Sequence, residues 1–220
     1  MCKITKAFLI VAFVLTALAG CGATIVKKDF AFSDASNEGV VILSVSHDES
    51  GGRGARAIFY MDGLPMHGGT ILKSLDDAFP GIARGSDFED SYGHIIVMSL
   101  PAGKHFMDSW QVMIGVTASM YPKLKPDPLQ FEVRKGEVTY LGNLHANLYT
   151  GRNLFGMSVV GDGYPEVRDQ RGRDLPMIDE KYPQFKGKVV VNLLPLGPWV
   201  KGFETRMQTE TPVPSVPPKH

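Results

Sequence analysis

From Gly39 onward the chain is a succession of short apolar segments in which hydrophobic and polar residues alternate. Residues 40–46, 57–61, 94–100, 105–116, 129–133, 138–149, 154–160 and 188–193 are rich in Val, Ile, Phe and Tyr, with Gly, Pro, Asn or Asp between them. A period of two is the signature of a pleated, half-buried segment, so each reads as a β-strand. The alternation places Phe106, Asp108, Trp110, Val112, Ile114 and Val116 on one face of their strand, with Ser109, Gln111 and Gly115 opposite. It likewise sets Val138, Tyr140, Leu144, Ala146 and Leu148 against Glu137, Thr139, Asn143, His145 and Asn147. One apolar and one polar face per strand predicts two sheets packed as a sandwich. Residues 94–100 (HIIVMSL) are apolar on both faces and are expected at the centre of a sheet. Pro101-Ala102-Gly103 and Lys135-Gly136 supply hairpin turns.

Helical pattern is scarce. In residues 174–182 Asp174 can cap, Pro176 is tolerated in a first turn, and Leu175, Ile178 and Tyr182 share a face. A second short helix is expected at 70–78, where Ser74, Asp76 and Asp77 flank Leu72 and Leu75. Residues 79–93 have no period and read as a loop. No internal repeat is present.

The two ends of the chain differ from this middle. Lys3 and Lys6 precede an unbroken apolar run, AFLIVAFVLTA, and then Leu18-Ala19-Gly20-Cys21. The run has the length of a secretory signal core and falls short of the roughly 20 residues that span a bilayer. Small residues closing on a cysteine are the pattern of a bacterial lipoprotein signal. The expectation is therefore cleavage before Cys21 and acylation of that residue; the alternatives are an uncleaved anchor or a plain signal peptide. Gly22, in place of an Asp, points to the outer membrane. Residues 1–20 are then signal, 21–38 a lipidated tether, 39–205 the folded domain, and 206–220 a Pro-rich tail too polar to bury a core.

Composition narrows the picture further. The chain carries 23 basic and 23 acidic residues; loss of Lys3 and Lys6 leaves a slight acidic excess, which gives no footprint for nucleic acid. Its two cysteines are Cys2, lost with the signal, and Cys21. The mature domain is therefore expected to have no disulfide and no thiol chemistry.

Leu100-Pro101-Ala102-Gly103-Lys104-His105 is followed by Phe131-x-Val133-x-x-Gly136-x-Val138-x-Tyr140-Leu141-Gly142-x-Leu144. This pattern resembles bacterial lipoproteins of uncharacterised function and is similar to the β-sandwich modules of the carboxypeptidase regulatory-like, or transthyretin-like, group. The resemblance covers residues 94–195, with His105 where an aromatic is more usual. It implies a mainly-β chain, a single Ig-like or transthyretin-like sandwich with one or two short helices, and carries no catalytic residues over.

Several constellations remain as candidate chemistry. Asn143, His145 and Asn147 line the polar face of one strand and form a row that can hydrogen-bond a polar ligand, or simply a solvated face. His94 and His105 flank a hairpin but lie too far apart along it to share an ion, and no metal-ligand spacing occurs. Asp87, Glu89 and Asp90 fall in the long loop, either solvated or supplying a carboxylate pair. Gly156-Met157-Ser158-Val159-Val160 lacks the second glycine of a nucleophile elbow. Gly51-Gly52-Arg53-Gly54 lacks the Lys-Ser/Thr of a phosphate loop and reads as a mobile tip. Trp199, in Leu194-Pro195-Leu196-Gly197-Pro198-Trp199, either plugs one end of the sandwich or docks a partner. The expected function is a non-enzymatic binding or structural module of the cell envelope, held in membrane lipid through acylated Cys21. It would act through a sheet edge or loops 47–56 and 79–93 on an envelope protein, with no cofactor and no metal. The competing class is an envelope hydrolase using the Asp87, Glu89 and Asp90 carboxylates.

Overall fold

A computed structural model describes residues 23–201, apart from 34, 76–84, 116–117, 153 and 155–157 and the side chains of 51–53, 152, 158 and 159. Cys21, the signal and the Pro-rich tail lie outside the described residues. In chain order the strands are β1 (Thr24–Ile25), β2 (Glu38–Asp48), β3 (Ala55–Met61), β4 (Thr70–Lys73), β5 (Ser91–Pro101) and β6 (Gly103–Ile114). They continue as β7 (Ala118–Met120), β8 (Leu129–Val133), β9 (Val138–Arg152), β10 (Ser158–Arg168), β11 (Val189–Val191) and β12 (Gly197–Pro198). The helix among the described residues, α1, spans Arg171–Lys181. The larger sheet runs β1-β5-β2-β9-β10-β12 with β11 beside β9, and the smaller runs β4-β3-β6-β7 with β8 also on β6. The fold is mainly β, with two sheets packed as a sandwich.

Two apolar layers result. Between the sheets lie Val41, Leu43 and Val45 of β2, Leu144, Ala146 and Leu148 of β9, Phe59 and Met61 of β3, and Met107, Trp110 and Val112 of β6. Outside the larger sheet, Val40, Ile42, Ile95, Val97, Val138 and Tyr140 pack under Ile178 of α1, Tyr182, Phe185, Val26 and Phe88. This second layer explains the apolar run 94–100. β5 is not central, since its outer neighbour is the two-residue edge strand β1, where Thr24 and Ile25 pair with Ser99 and Met98; it is covered on both faces because α1 and its flanking turns form a third layer.

Bulges on β6 and β9 reset the alternation read from sequence. On β6, Phe59 pairs with Trp110 and Tyr60 with Ser109, but Met61 pairs with Met107, leaving Asp108 as the extra residue. Below it His105 and Met107 point inward, so Phe106 and Asp108 do not share the face of Trp110. On β9, Ile42 pairs with Tyr140 while Ser44 pairs with Asn143. Val138 and Tyr140 therefore lie on the outer face with Asn143, His145 and Asn147, and Leu144, Ala146 and Leu148 face inward. Gly142 makes this possible: its φ is +106°, and a Cβ there would sit 3.1 Å from the Arg168 carbonyl oxygen.

Other expectations are corrected. Residues 70–73 are strand, not helix, because Leu72 is buried while Ile71 faces out, a period of two that pairs with β3; 76–78 lie outside the described residues. The strand expected at 154–160 begins at Ser158 and runs to Arg168, carried by the long partner β9. The segment read as a tether is docked from Thr24 on: the Val26 N–H donates to the Val97 carbonyl at 2.9 Å, and Phe30 and Phe32 pack on the outer layer. α1 begins at Arg171, so Asp174 lies in its first turn, fully buried, and Gln170 holds the cap position. Residues 49–54 form a short 3-10 turn, and Trp199 plugs the sandwich, stacked on Phe59 at 6.3 Å with its Nε1–H donating to the Asp127 carbonyl at 2.8 Å.

Replacing Gly142 by Ala is expected to destabilise the domain by about 1–3 kcal/mol, because positive φ is strained for any side chain and the carbonyl of Arg168 has to give. Urea denaturation of wild type and variant measures this.

Candidate functional site

Above the apolar patch, the outer face of the larger sheet turns polar. Past Gly142, β9 sends Asn143, His145 and Asn147 outward; β2 sets Ser44 and Ser46 beside the first two, and β10 sets Arg168, Glu166 and Tyr164 opposite all three. α1 closes the deep end with Asp174, one helical turn before Ile178, so both residues address the same sheet. The face is no solvated row: Ser44, Ser46, Asn143, His145 and Asp174 are each at most 2% exposed.

Every step of this ladder is hydrogen-bonded. The same Asp174 oxygen accepts from the Ser44 hydroxyl at 2.5 Å and the Tyr140 hydroxyl at 2.7 Å, and Arg173 Nε donates to the other oxygen at 2.8 Å. Arg173 also stacks over the Phe88 ring at 3.6 Å and reaches Asp90 at 3.3 Å. Burial, and then the Asp174 charge, push the Tyr140 phenol far above its ordinary pKa. The Asn143 amide donates to Ser44 at 2.8 Å and Ser46 at 3.0 Å. Ser46 Oγ lies 2.8 Å from His145 Nδ1, and His145 Nε2 lies 2.9 Å from Asp48. The Ser46 hydroxyl also faces Asn143 Oδ1 at 3.2 Å, so its proton has two acceptors within the cluster, that oxygen and the His145 ring nitrogen. Burial raises the Asp48 pKa, but the His145 bond and the Leu148 N–H outweigh it and hold the carboxyl below its usual value.

Ser46, His145 and Asp48 are connected in the order of a nucleophile, a base and an orienting acid. The Ser46 hydroxyl, however, is fully buried and surrounded by its partners, so it is not presented to a substrate. Chemistry with an outside molecule is confined to the end that reaches solvent. There Arg168 holds Glu166 and donates to Asn147 Oδ1 at 2.6 Å, the buried Asn147 Nδ2 has no partner, and the Tyr149 and Tyr164 rings meet at 5.9 Å. Burial, Tyr149 and Glu166 push the Tyr164 phenol up to about 12. This rim can accept and donate hydrogen bonds to a polar ligand.

Of the expected ligand-facing residues, Asn147 stands at that rim, whereas Asn143 and His145 lie beneath it. Ser44, Ser46, Tyr140, Arg168 and Asp174 were missed; the run Ser44-x-Ser46-x-Asp48, polar at period two like Asn143-x-His145-x-Asn147, was the available signal. The acidic segment is split: Glu89 and Asp90 are exposed, as a solvated loop predicts, whereas Asp87 is engaged. Asp87 accepts the Ile95 N–H at 3.0 Å and lies 3.5 Å from His94; burial raises its pKa, yet these contacts hold it low. Asp90 faces Arg173 instead, and Phe88 between them is buried.

His105 is tied down separately, 2.6 Å from Asp62 through Nδ1 and 2.8 Å from the Pro101 carbonyl through Nε2. Two acceptors favour the doubly protonated ring, and the Asp62 bond, against burial, raises its pKa. Its ring stacks on Phe131 at 5.6 Å, filling the place of an aromatic. Among the described residues no group of three or more His, Cys, Asp or Glu is placed to hold a metal ion, and no helix is long and apolar enough to cross a membrane. Comparison with protein-family models, curated proteins and solved structures finds no match to this chain.

Asp174→Ala strands Ser44, Tyr140 and Arg173 without their acceptor and is expected to cost about 3 kcal/mol; Asp174→Asn, which keeps an acceptor oxygen, costs less by the same denaturation measurement. For His105 the folded pKa lies above the ordinary imidazole value of 6.5. Its contribution is therefore complete below that value and disappears as pH rises through the folded pKa. Melts of wild type and His105→Phe from about pH 5.5 to about pH 8.5 should show wild type losing stability relative to the variant, which keeps the stack without the titration.

Proposed function

We propose that this chain is a lipid-anchored protein of the bacterial envelope, held through acylated Cys21 on the periplasmic face of the outer membrane, and that its sandwich serves as a binding or structural module. The observation that carries the reading is the sequence Leu18-Ala19-Gly20-Cys21 directly after a secretory apolar run. The start of the fold agrees with it: β1 begins at Thr24, three residues beyond the proposed cleavage site. The two packed sheets, with a polar rim on the larger one, suit a scaffold that works by contact. The place for such contact is the polar rim of Asp48, Asn147, Glu166 and Arg168, with an envelope protein or polar envelope material as partner. An envelope hydrolase has less support, because the Ser46 hydroxyl is closed off and Asp87 and Asp90 are spent on different neighbours.

Cys21→Ser is expected to abolish incorporation of labelled fatty acid and move the protein from the membrane to the soluble fraction. A Cys21→Ser protein that remains acylated and membrane-bound overturns the reading.

A further inference from the structure

The anchor reading has a geometric consequence at the start of the fold. Two peptide units separate Ala23 from Cys21, so the Cα atoms of these residues lie within about 7–8 Å of one another. The surface around Ala23 is therefore held at the lipid whatever the rest of the domain does.

That surface is apolar. Among the described residues ten large hydrophobic side chains are exposed; of these, Ile25 at 67% and Ile71 at 38% lie beside Ala23, and Leu64 at 47% and Met66 at 81% stand on the turn that ends at Gly68. Ala23, Ile25 and Ile71 line one groove between the edges of the two sheets. Ala23, Gly68, Thr70 and Lys104 line the adjoining recess. The turn carrying Leu64 and Met66 is closed by the Gly68 N–H to the Pro65 carbonyl and the Gly69 N–H to the Leu64 carbonyl, both 3.1 Å, and meets that recess at Gly68. A methionine four-fifths exposed at the tip of a hydrogen-bonded turn has no packing role within the domain, and clustered apolar exposure marks a contact surface.

Charge around the patch fits the same partner. Lys27 and Lys28 follow β1 in exposed positions, and Lys104 borders the recess. Its carboxylate, Asp62, is occupied by His105 and the Phe106 N–H. Apolar side chains with lysines beside them suit the headgroup zone of an anionic bilayer.

We propose that Ile25, Leu64, Met66 and Ile71 rest in the interfacial zone of the bilayer that holds acylated Cys21, so that the domain is docked on lipid in one orientation and not carried on a free tether. The proposal depends on the anchor reading. In this orientation the β1 and β4 edges meet the membrane, and β12, at the opposite edge of the larger sheet, faces away.

The mature chain offers a clean probe, since its single cysteine is consumed by acylation. Met66→Cys and Leu196→Cys each introduce one reactive thiol, the second beside β12 and 59% exposed in wild type. The full chain, matured in bacterial membranes, is labelled with an environment-sensitive fluorophore and placed in phosphatidylethanolamine–phosphatidylglycerol vesicles containing nitroxide-labelled lipid. The expected result is quenching several-fold stronger at position 66 than at 196, with acyl label present on Cys21. Equal quenching on acylated protein overturns the docking and leaves the anchor standing; absence of acyl label overturns both. Both sites are exposed, and circular dichroism of each labelled protein verifies the fold.

Discussion

The third layer of this molecule depends on one buried carboxylate. Asp174 on α1 accepts from Ser44 of β2 and Tyr140 of β9, the two central strands of the larger sheet. A charge in that position is tolerable only with its partners in place, because an unpaired buried carboxylate is far more costly than a paired one. The partners outside the helix come from two separate strands, so the carboxylate specifies how α1 lies, and with it the position of Ile178 over the outer apolar layer. Arg173, next along the helix, carries the constraint to Phe88 and Asp90 and thereby fixes the path of the chain entering β5. The polar ladder beyond is arranged from this end: Asn143 bonds to Ser44, Ser46 to His145, and His145 to Asp48.

Much of the sandwich was legible in the sequence because its strands obey a period of two and its turns carry Pro and Gly at the required places. The β8 segment, residues 129–133, alternates cleanly and forms with those bounds. Alternation fails as a guide where a bulge inserts a residue, as at Asp108, beside Gly142 and at Gly161. The second instance matters more. It brings Tyr140 to the face of Asn143 and His145, so the ladder and its helix contact arise from a parity change that apolar counting does not register. β1 and β4 escaped notice for another reason: each is only a few residues long and is strand because of the neighbour it pairs with, not because of its own propensity.

The candidate site was legible in its residue types and not in its environment. Asn143, His145 and Asn147 do share a face, but the covering layer is supplied by α1 and residues 85–90, distant in sequence and without periodic signal. A polar row on a strand has the same appearance in sequence whether water or a helix lies over it. The acidic run at 87–90 carries the same ambiguity: Phe88 sits in its middle, and the burial of that ring draws Asp87 and Asp90 into contacts on different sides.

The parallel pairing of β2 with β9 has a consequence for the order of events in folding. Val40 lies beside Val138 and His47 beside Ala146, so the centre of the larger sheet closes a loop of nearly the whole preceding domain. Non-local closure of this kind is slow, because chain entropy is lost before any contact compensates for it. A chain that emerges N-terminus first can complete the antiparallel β2–β5 and β3–β6 pairs before β9 is made, yet β2 keeps one bare edge until the last third of the polypeptide arrives. During that interval a strand apolar on both faces is open to wrong partners. The late segments, from β9 through α1, act as the closing pieces of the fold.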